Sequence, residues 1–139
     1  MKFRKFCLCI ILAAVFSACQ YTAKDLLDSD ESQVKIRSIQ TRAFDTTDRE
    51  KTLRTIIATL QDLGFVIDNA DHNIGSISGT KLNYYQLRMT VTVRPRGTTQ
   101  LLVRANARYN VTPVLDPEPY QQFFTAFGRA MFLEAHQVD

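Results

Sequence analysis

The chain has 139 residues, of which 45% are hydrophobic and 22% charged, with 17 Lys and Arg against 14 Asp and Glu. This length and apolar content suffice for one folded domain with a buried core and exclude two independent domains. Three basic residues, Lys2, Arg4 and Lys5, lie at the very start, so the rest of the chain carries 14 basic and 14 acidic residues. A nearly neutral remainder does not favour nucleic-acid binding.

The first 18 residues have the organisation of a removable export signal. Behind the basic start comes an apolar run of eleven residues, 6–16, and then the small residues Ser17 and Ala18 directly before Cys19. Eleven residues fall far short of the roughly 20 that an α-helix needs to cross a bilayer. We therefore expect residues 1–18 to be a signal peptide, which leaves Cys19 as the single cysteine of the mature chain and excludes a disulfide framework.

The segment Phe16-Ser17-Ala18-Cys19 resembles the lipobox of bacterial lipoproteins. In that family the cysteine receives a diacylglycerol through its sulfur and becomes the mature N-terminus, so the resemblance implies a membrane anchor on Cys19. The residue three before the cysteine is usually leucine, whereas here it is Phe16. An Asp after the cysteine commonly retains the protein in the inner membrane, and the Gln20 found here implies the periplasmic face of the outer membrane. A buried, inert thiol at Cys19 is the alternative.

Residues 19–33 are rich in Asp, Ser and Gln with little periodicity, which is typical of a flexible tether. A short helix over 24–28 is the alternative for this segment. The chain is therefore expected to consist of a signal peptide (1–18), a tether (19–33) and one domain (34–139).

The domain begins with a predicted strand over 36–44, where side chains alternate in character. A helix follows, for which Thr47 and Glu50 form a capping box, apolar residues recur at helical spacing, and Gly64 stands where a left-handed C-terminal cap belongs. Two predicted hairpins come next. The first pairs a strand over 65–69 with one over 74–81. The second pairs a strand over 85–93 with one over 101–111, and a loop at 95–99 joins them.

Pairing Val93 with Leu101 and Val91 with Val103 keeps both apolar rows of the second hairpin on one face. Asp116 then predicts the N-terminus of a last helix, whose Phe-rich stripe at helical spacing is typical of a core. The order β-α-β-β-β-β-α predicts an α+β fold, a two-layer sandwich in which an antiparallel-rich sheet carries two helices on one face. The second face of the sheet is then polar.

Charge is segregated along the chain. Between Asp71 and Asp116 there is no acidic residue, whereas six basic residues fall there, five of them arginine. Four are predicted to project from the polar face of the sheet: Arg88, Arg94, Arg104 and Arg108. Because the guanidinium fork suits carboxylates and phosphates, this face is a candidate site for lipid A phosphates, peptidoglycan carboxylates or an acidic protein surface. Alternatively, the face is merely solvated and its arginines pair with acidic residues of the tether: Asp28, Asp30 and Glu31.

The sequence contains no P-loop, nucleophile elbow, H-x-x-x-H motif or cysteine pair in the mature chain. Of its two histidines, His72 follows Asp71 in a predicted turn and His136 lies near the end. Solvated turn residues explain the Asp71-His72 pair better than catalysis does. We expect the chain to catalyse no reaction and to bind no metal or cofactor.

Residues 60–81, LQDLGFVIDNADHNIGSISGTK, combine a helix ending in Gly-aromatic, a strand with an acidic turn and a Gly-marked strand. This pattern resembles the repeated domain of the BamC (NlpB) lipoproteins of the β-barrel assembly machinery. That resemblance implies a helix-grip-like fold and a non-catalytic accessory module of an envelope machine. Arg37 to Thr46 and Asp116 to Phe124 are also similar to the R-x-x-Q-T-R-x-F-D-T and D-P-x-x-Y-x-x-F-F segments of small proteobacterial lipoproteins.

The sequence thus favours a non-catalytic outer-membrane lipoprotein that binds an envelope protein or the cell wall through its arginines. The alternative is a carrier that holds a small lipid or other hydrophobic ligand between the Phe-rich helix and the sheet.

Overall fold

A computed structural model describes residues 33–83 and 85–136. The predicted signal peptide and nearly all of the predicted tether, including Cys19, lie outside the described residues.

The described part of the chain contains three helices and six strands. Helix α1 covers residues 33–40, α2 covers Arg49–Asp62 and α3 covers Glu118–His136. The strands are β1 Thr41–Phe44, β2 Val66–Asp71, β3 Ser76–Asn83, β4 Tyr85–Arg96, β5 Gln100–Tyr109 and β6 Thr112–Pro113.

All strand pairs are antiparallel, and the strands lie in the order β1-β5-β4-β3-β2. The short strand β6 also pairs with β5, beyond the part of β5 that β1 covers. Strands β2 to β5 follow one another as hairpins, whereas α2 connects β1 to β2 across the sheet. The predicted α+β class with an antiparallel sheet is confirmed.

The core lies between one face of the sheet and helices α2 and α3. The buried rows of the central strands are Met89, Val91 and Val93 from β4, and Leu101, Val103, Ala105 and Ala107 from β5. Helix α2 contributes Leu53, Ile56 and Leu60, and α3 contributes Tyr120, Phe123, Phe124 and Phe127. Each large apolar side chain buried in this way stabilises the fold by about 1.5–3 kcal/mol.

The predicted first strand is wrong over residues 36–40, which are helical. Ile36, Ile39 and Gln40 stand at helical i, i+3, i+4 spacing, and all three are at least partly buried. Only Thr41–Phe44 extends as strand β1. The described residues therefore contain one helix more than predicted.

The predicted capping box of α2 is also wrong. The N-cap is Asp48, whose carboxylate accepts a hydrogen bond from the Lys51 backbone N–H at 2.9 Å, and Thr47 is exposed. At the other end of the helix the prediction is confirmed, since Gly64 adopts a positive φ of 85° directly after the last turn.

The predicted register of the β4–β5 hairpin is wrong by two residues. Val93 pairs with Val103 rather than Leu101, and β4 and β5 extend to Arg96 and Gln100, so the turn spans 97–99. A shift of two residues keeps every side chain on the same face of the sheet. The predicted division into core and polar rows is therefore correct although the register is not.

Candidate anion-binding face

The four arginines of the predicted site lie on the sheet surface that faces away from α2 and α3. Each alternates along β4 or β5 with buried core residues and is itself exposed. We call this surface the arginine face and define it by Arg88, Arg94, Arg104 and Arg108.

The strand register sets the spacing of these side chains. Arg88 of β4 lies directly opposite Arg108 of β5, whereas Arg104 faces Thr92 and Arg94 faces Leu102. At about 3.3 Å per residue, Arg104 and Arg108 are about 13 Å apart along β5. Arg88 and Arg94 are about 20 Å apart along β4 by the same measure. Arg88 and Arg108 are cross-strand neighbours, but the four cations together cover about 20 Å of the sheet, so the whole face suits an extended anionic surface better than one small anion.

Arg88 has an acidic neighbour that the sequence analysis missed. Its Nε lies 3.6 Å from Oδ2 of Asp68 in β2, and the Thr80 hydroxyl between them donates to the same oxygen at 2.6 Å. Asp68 stands at a bulge, where the β2–β3 register shifts between Ile67 and Asn69. The ion pair is partly exposed and contributes only about 0–1 kcal/mol, but it offsets repulsion between the opposed Arg88 and Arg108.

The other three arginines are less engaged. Arg104 Nη2 lies 3.5 Å from Oε1 of the buried Gln40, which is a long contact. The side chains of Arg94 and Arg108 have no hydrogen-bond or ion-pair partner among residues 33–83 and 85–136. The tether residues of the alternative interpretation, Asp28, Asp30 and Glu31, lie outside the described residues.

The Asp71-His72 pair lies at the β2–β3 turn. The Asp71 carboxylate accepts hydrogen bonds from the backbone N–H groups of Asn73 and Ile74, at 2.9 and 3.1 Å, so its observed contacts organise the turn. His72 is exposed and lines a shallow cleft of about 390 Å³ together with Arg49, Glu50 and Leu53. The His72 imidazole has no hydrogen-bond partner within the described part of the chain, and no group of three potential metal ligands occurs there.

The region beneath α3, where a hydrophobic ligand would be held, is filled by aromatic side chains. Tyr120, Phe123 and Phe127 are fully buried. The rings of Phe123 and Phe127 stack with centroids 5.7 Å apart, and Phe44 meets Phe127 edge-on at 4.8 Å. The cleft at the N-terminal end of α3 measures about 220 Å³, which is less than the roughly 300–1,000 Å³ of typical ligand sites.

Comparison with known protein families finds no family model that matches this chain, and comparison with curated proteins finds no similar sequence. Among the helices of the described residues, none has both the length and the apolar character needed to cross a bilayer.

Proposed function

We propose that this chain is a non-catalytic lipoprotein of the outer membrane, anchored through Cys19 on the periplasmic side. Its α+β domain binds an acidic surface of an envelope protein or of the cell wall through the arginine face. The observation that carries the proposal is that Arg94 and Arg108 are exposed and unpaired within the described residues, on a sheet face that neither α2 nor α3 covers.

The spacing of the arginines supports a macromolecular partner. The four cations together span about 20 Å and cannot all converge on one phosphate, but they can meet separate carboxylates or phosphates of an extended surface. Such a surface gains from electrostatic steering and from charge-assisted hydrogen bonds. An accessory module of an envelope machine would use the face in this way.

The membrane part of the proposal is supported by the lipobox-like segment that ends at Cys19. The non-catalytic part is supported by the arrangement at the β2–β3 turn, where Asp71 bonds to backbone groups rather than to His72. The close ring packing beneath α3 does not favour the alternative of a lipid carrier.

Capture of partners from solubilised envelopes tests the arginine face. The tagged full chain carries Arg104→Glu and Arg108→Glu together, and the matched control carries Arg54→Glu and Arg129→Glu, which reverse two exposed arginines on α2 and α3. We expect the amount of partner captured by the sheet variant to fall about tenfold or more, because like charges then face each other across the interface. The control should retain them.

Salt provides an independent readout of the same interaction. Raising sodium chloride from about 0.1 M to about 0.5 M should release the partner from the wild-type chain, because exposed charges are screened over shorter distances. Recovery of the same partners by the sheet variant, at both salt concentrations, would exclude the arginine face as the binding site.

A further inference from the structure

One end of the sheet carries an exposed apolar surface that adjoins the arginine face at Arg108. We call it the apolar end and define it by residues that are between 42% and 86% exposed: Tyr85, Tyr109, Val111 and Leu115. They lie where β4 begins, where β5 turns into β6, and in the segment that leads into α3. Antiparallel pairing brings the start of β4 and the end of β5 to the same end of the sheet.

Two tyrosines form the centre of the apolar end. The rings of Tyr85 and Tyr109 meet edge-on with centroids 6.2 Å apart. They line the 220 Å³ cleft together with Leu87, Pro119 and the charged Lys81. Single exposed apolar residues are normal on a protein surface, but paired tyrosines beside further exposed apolar residues are typical of a protein interface.

Opposite charges border the apolar end on its two sides. On the outer side of the sheet lies Arg108, which is exposed and has no ion-pair partner among the described residues. On the helix side lie Asp116 and Glu118, at the start of α3 and on the rim of the cleft. Asp116 accepts the Glu118 backbone N–H, and the Glu118 carboxylate accepts from Gln122 at 3.0 Å. Lys81 lines the same cleft, but its Nζ donates to the Leu63 carbonyl at 2.9 Å, and neither carboxylate forms an ion pair among the described residues.

We propose that the apolar end is the interface of a symmetric homodimer. A two-fold axis through this end of the sheet exchanges its outer side with its helix side. Arg108 of each copy then approaches Glu118 of the other, while the tyrosines and Val111 pack at the centre. This self-complementary arrangement is what an isologous interface requires.

The same charges disfavour a bilayer as the occupant. An anionic lipid surface would attract Arg108 but repel Asp116 and Glu118 on the other side of the apolar patch. A second copy instead offers a charge of opposite sign to Arg108 and to the two carboxylates. The inference does not rest on the proposed function, since self-association needs neither the lipid on Cys19 nor an acidic partner.

Photo-crosslinking in cells tests the contact. The full chain is expressed with two different tags and a benzophenone amino acid in place of Val111, which is 86% exposed, or of Ile74, which is 69% exposed at the opposite end of the sheet. We expect a product of twice the monomer mass, containing both tags, from position 111 and not from position 74. Crosslinks from position 111 only to lipid or to other proteins would overturn the proposal.

A charge exchange tests the symmetry. Arg108→Glu alone and Glu118→Arg alone should each reduce the crosslinked homodimer by about tenfold or more, because each creates two like-charge contacts. Co-expression of the two variants should restore a mixed dimer, since both contacts between them again join opposite charges. Failure of the mixed pair, with both variants folded by circular dichroism, would refute the two-fold arrangement. Arg108 belongs to both surfaces, whereas Glu118→Arg and the crosslink from position 111 leave the arginine face unchanged. These two measurements therefore report on the homodimer separately from the partner of the arginine face.

Discussion

At the scale of single residues, Tyr120 joins three parts of the structure. Its hydroxyl donates to the Val114 carbonyl at 2.8 Å and accepts from the Ala107 backbone N–H and from Gln40 Nε2, each at 3.2 Å. These bonds lie at the edge of β5 between the parts that β1 and β6 cover. A side-chain hydroxyl thus completes hydrogen bonding that a continuous neighbouring strand would otherwise supply.

We predict that Tyr120→Phe lowers the free energy of unfolding by about 2–3 kcal/mol, because it leaves buried polar groups without a partner. Gln121→Ala is the control, since this neighbouring residue of α3 is exposed and its loss should change stability by less than about 0.5 kcal/mol. Urea denaturation followed by circular dichroism measures both. Equal midpoints for the two variants would contradict the role assigned to the Tyr120 hydroxyl.

Alternation in the sequence could predict which face of the sheet each residue occupies, but not the register. A shift of two residues preserves every face, so the common side of Arg88 and Arg108 was predictable. Their direct opposition was not, since it depends on which residues pair. The Arg88 contact with Asp68 was missed because it needs the pairing of β2 with β3 and of β3 with β4.

At the scale of elements, the start of the domain shows where local patterns are ambiguous. Residues 36–44 alternate well enough to predict a strand, yet Ile36, Ile39 and Gln40 fit a helical face equally well. Burial of Gln40 against Tyr120, 80 positions away in the sequence, stabilises the helical arrangement. No local signal could have indicated that contact.

The N-terminus of α2 gives a test at this scale, because two neighbouring residues are both chemically able to cap it. We predict that Asp48→Ala lowers the free energy of unfolding by about 1 kcal/mol, since it removes the acceptor for the Lys51 N–H and an anion that favours the helix dipole. Thr47→Ala should change it by less than about 0.5 kcal/mol, because Thr47 is exposed and does not cap the helix. Thermal unfolding of both variants measures the difference, and a larger loss for Thr47→Ala would favour the capping box instead.

At the scale of the whole molecule, the proposed lipid and the two proposed binding surfaces are compatible in space. Thirteen residues, 20–32, separate Cys19 from the first described helix. A chain of this length spans at most about 47 Å. This length allows an anchored domain to turn its arginine face towards a partner and its apolar end towards a second copy. The fold supplies the two surfaces, and the proposed anchor confines them to a layer near the membrane.

The anchor itself gives the last prediction. We expect Cys19→Ser to abolish labelling by a clickable palmitate analogue and to release the protein from the outer-membrane fraction, because three acyl chains at about 0.8 kcal/mol per buried CH₂ would otherwise hold it there. Cys9→Ser is the matched control, since Cys9 lies in the expected signal peptide and its loss should change neither labelling nor fractionation. Phe16→Leu, which restores the usual residue three positions before the cysteine, should speed precursor cleavage in a pulse-chase experiment. Membrane retention of an unlabelled Cys19→Ser chain would show that the anchor lies elsewhere.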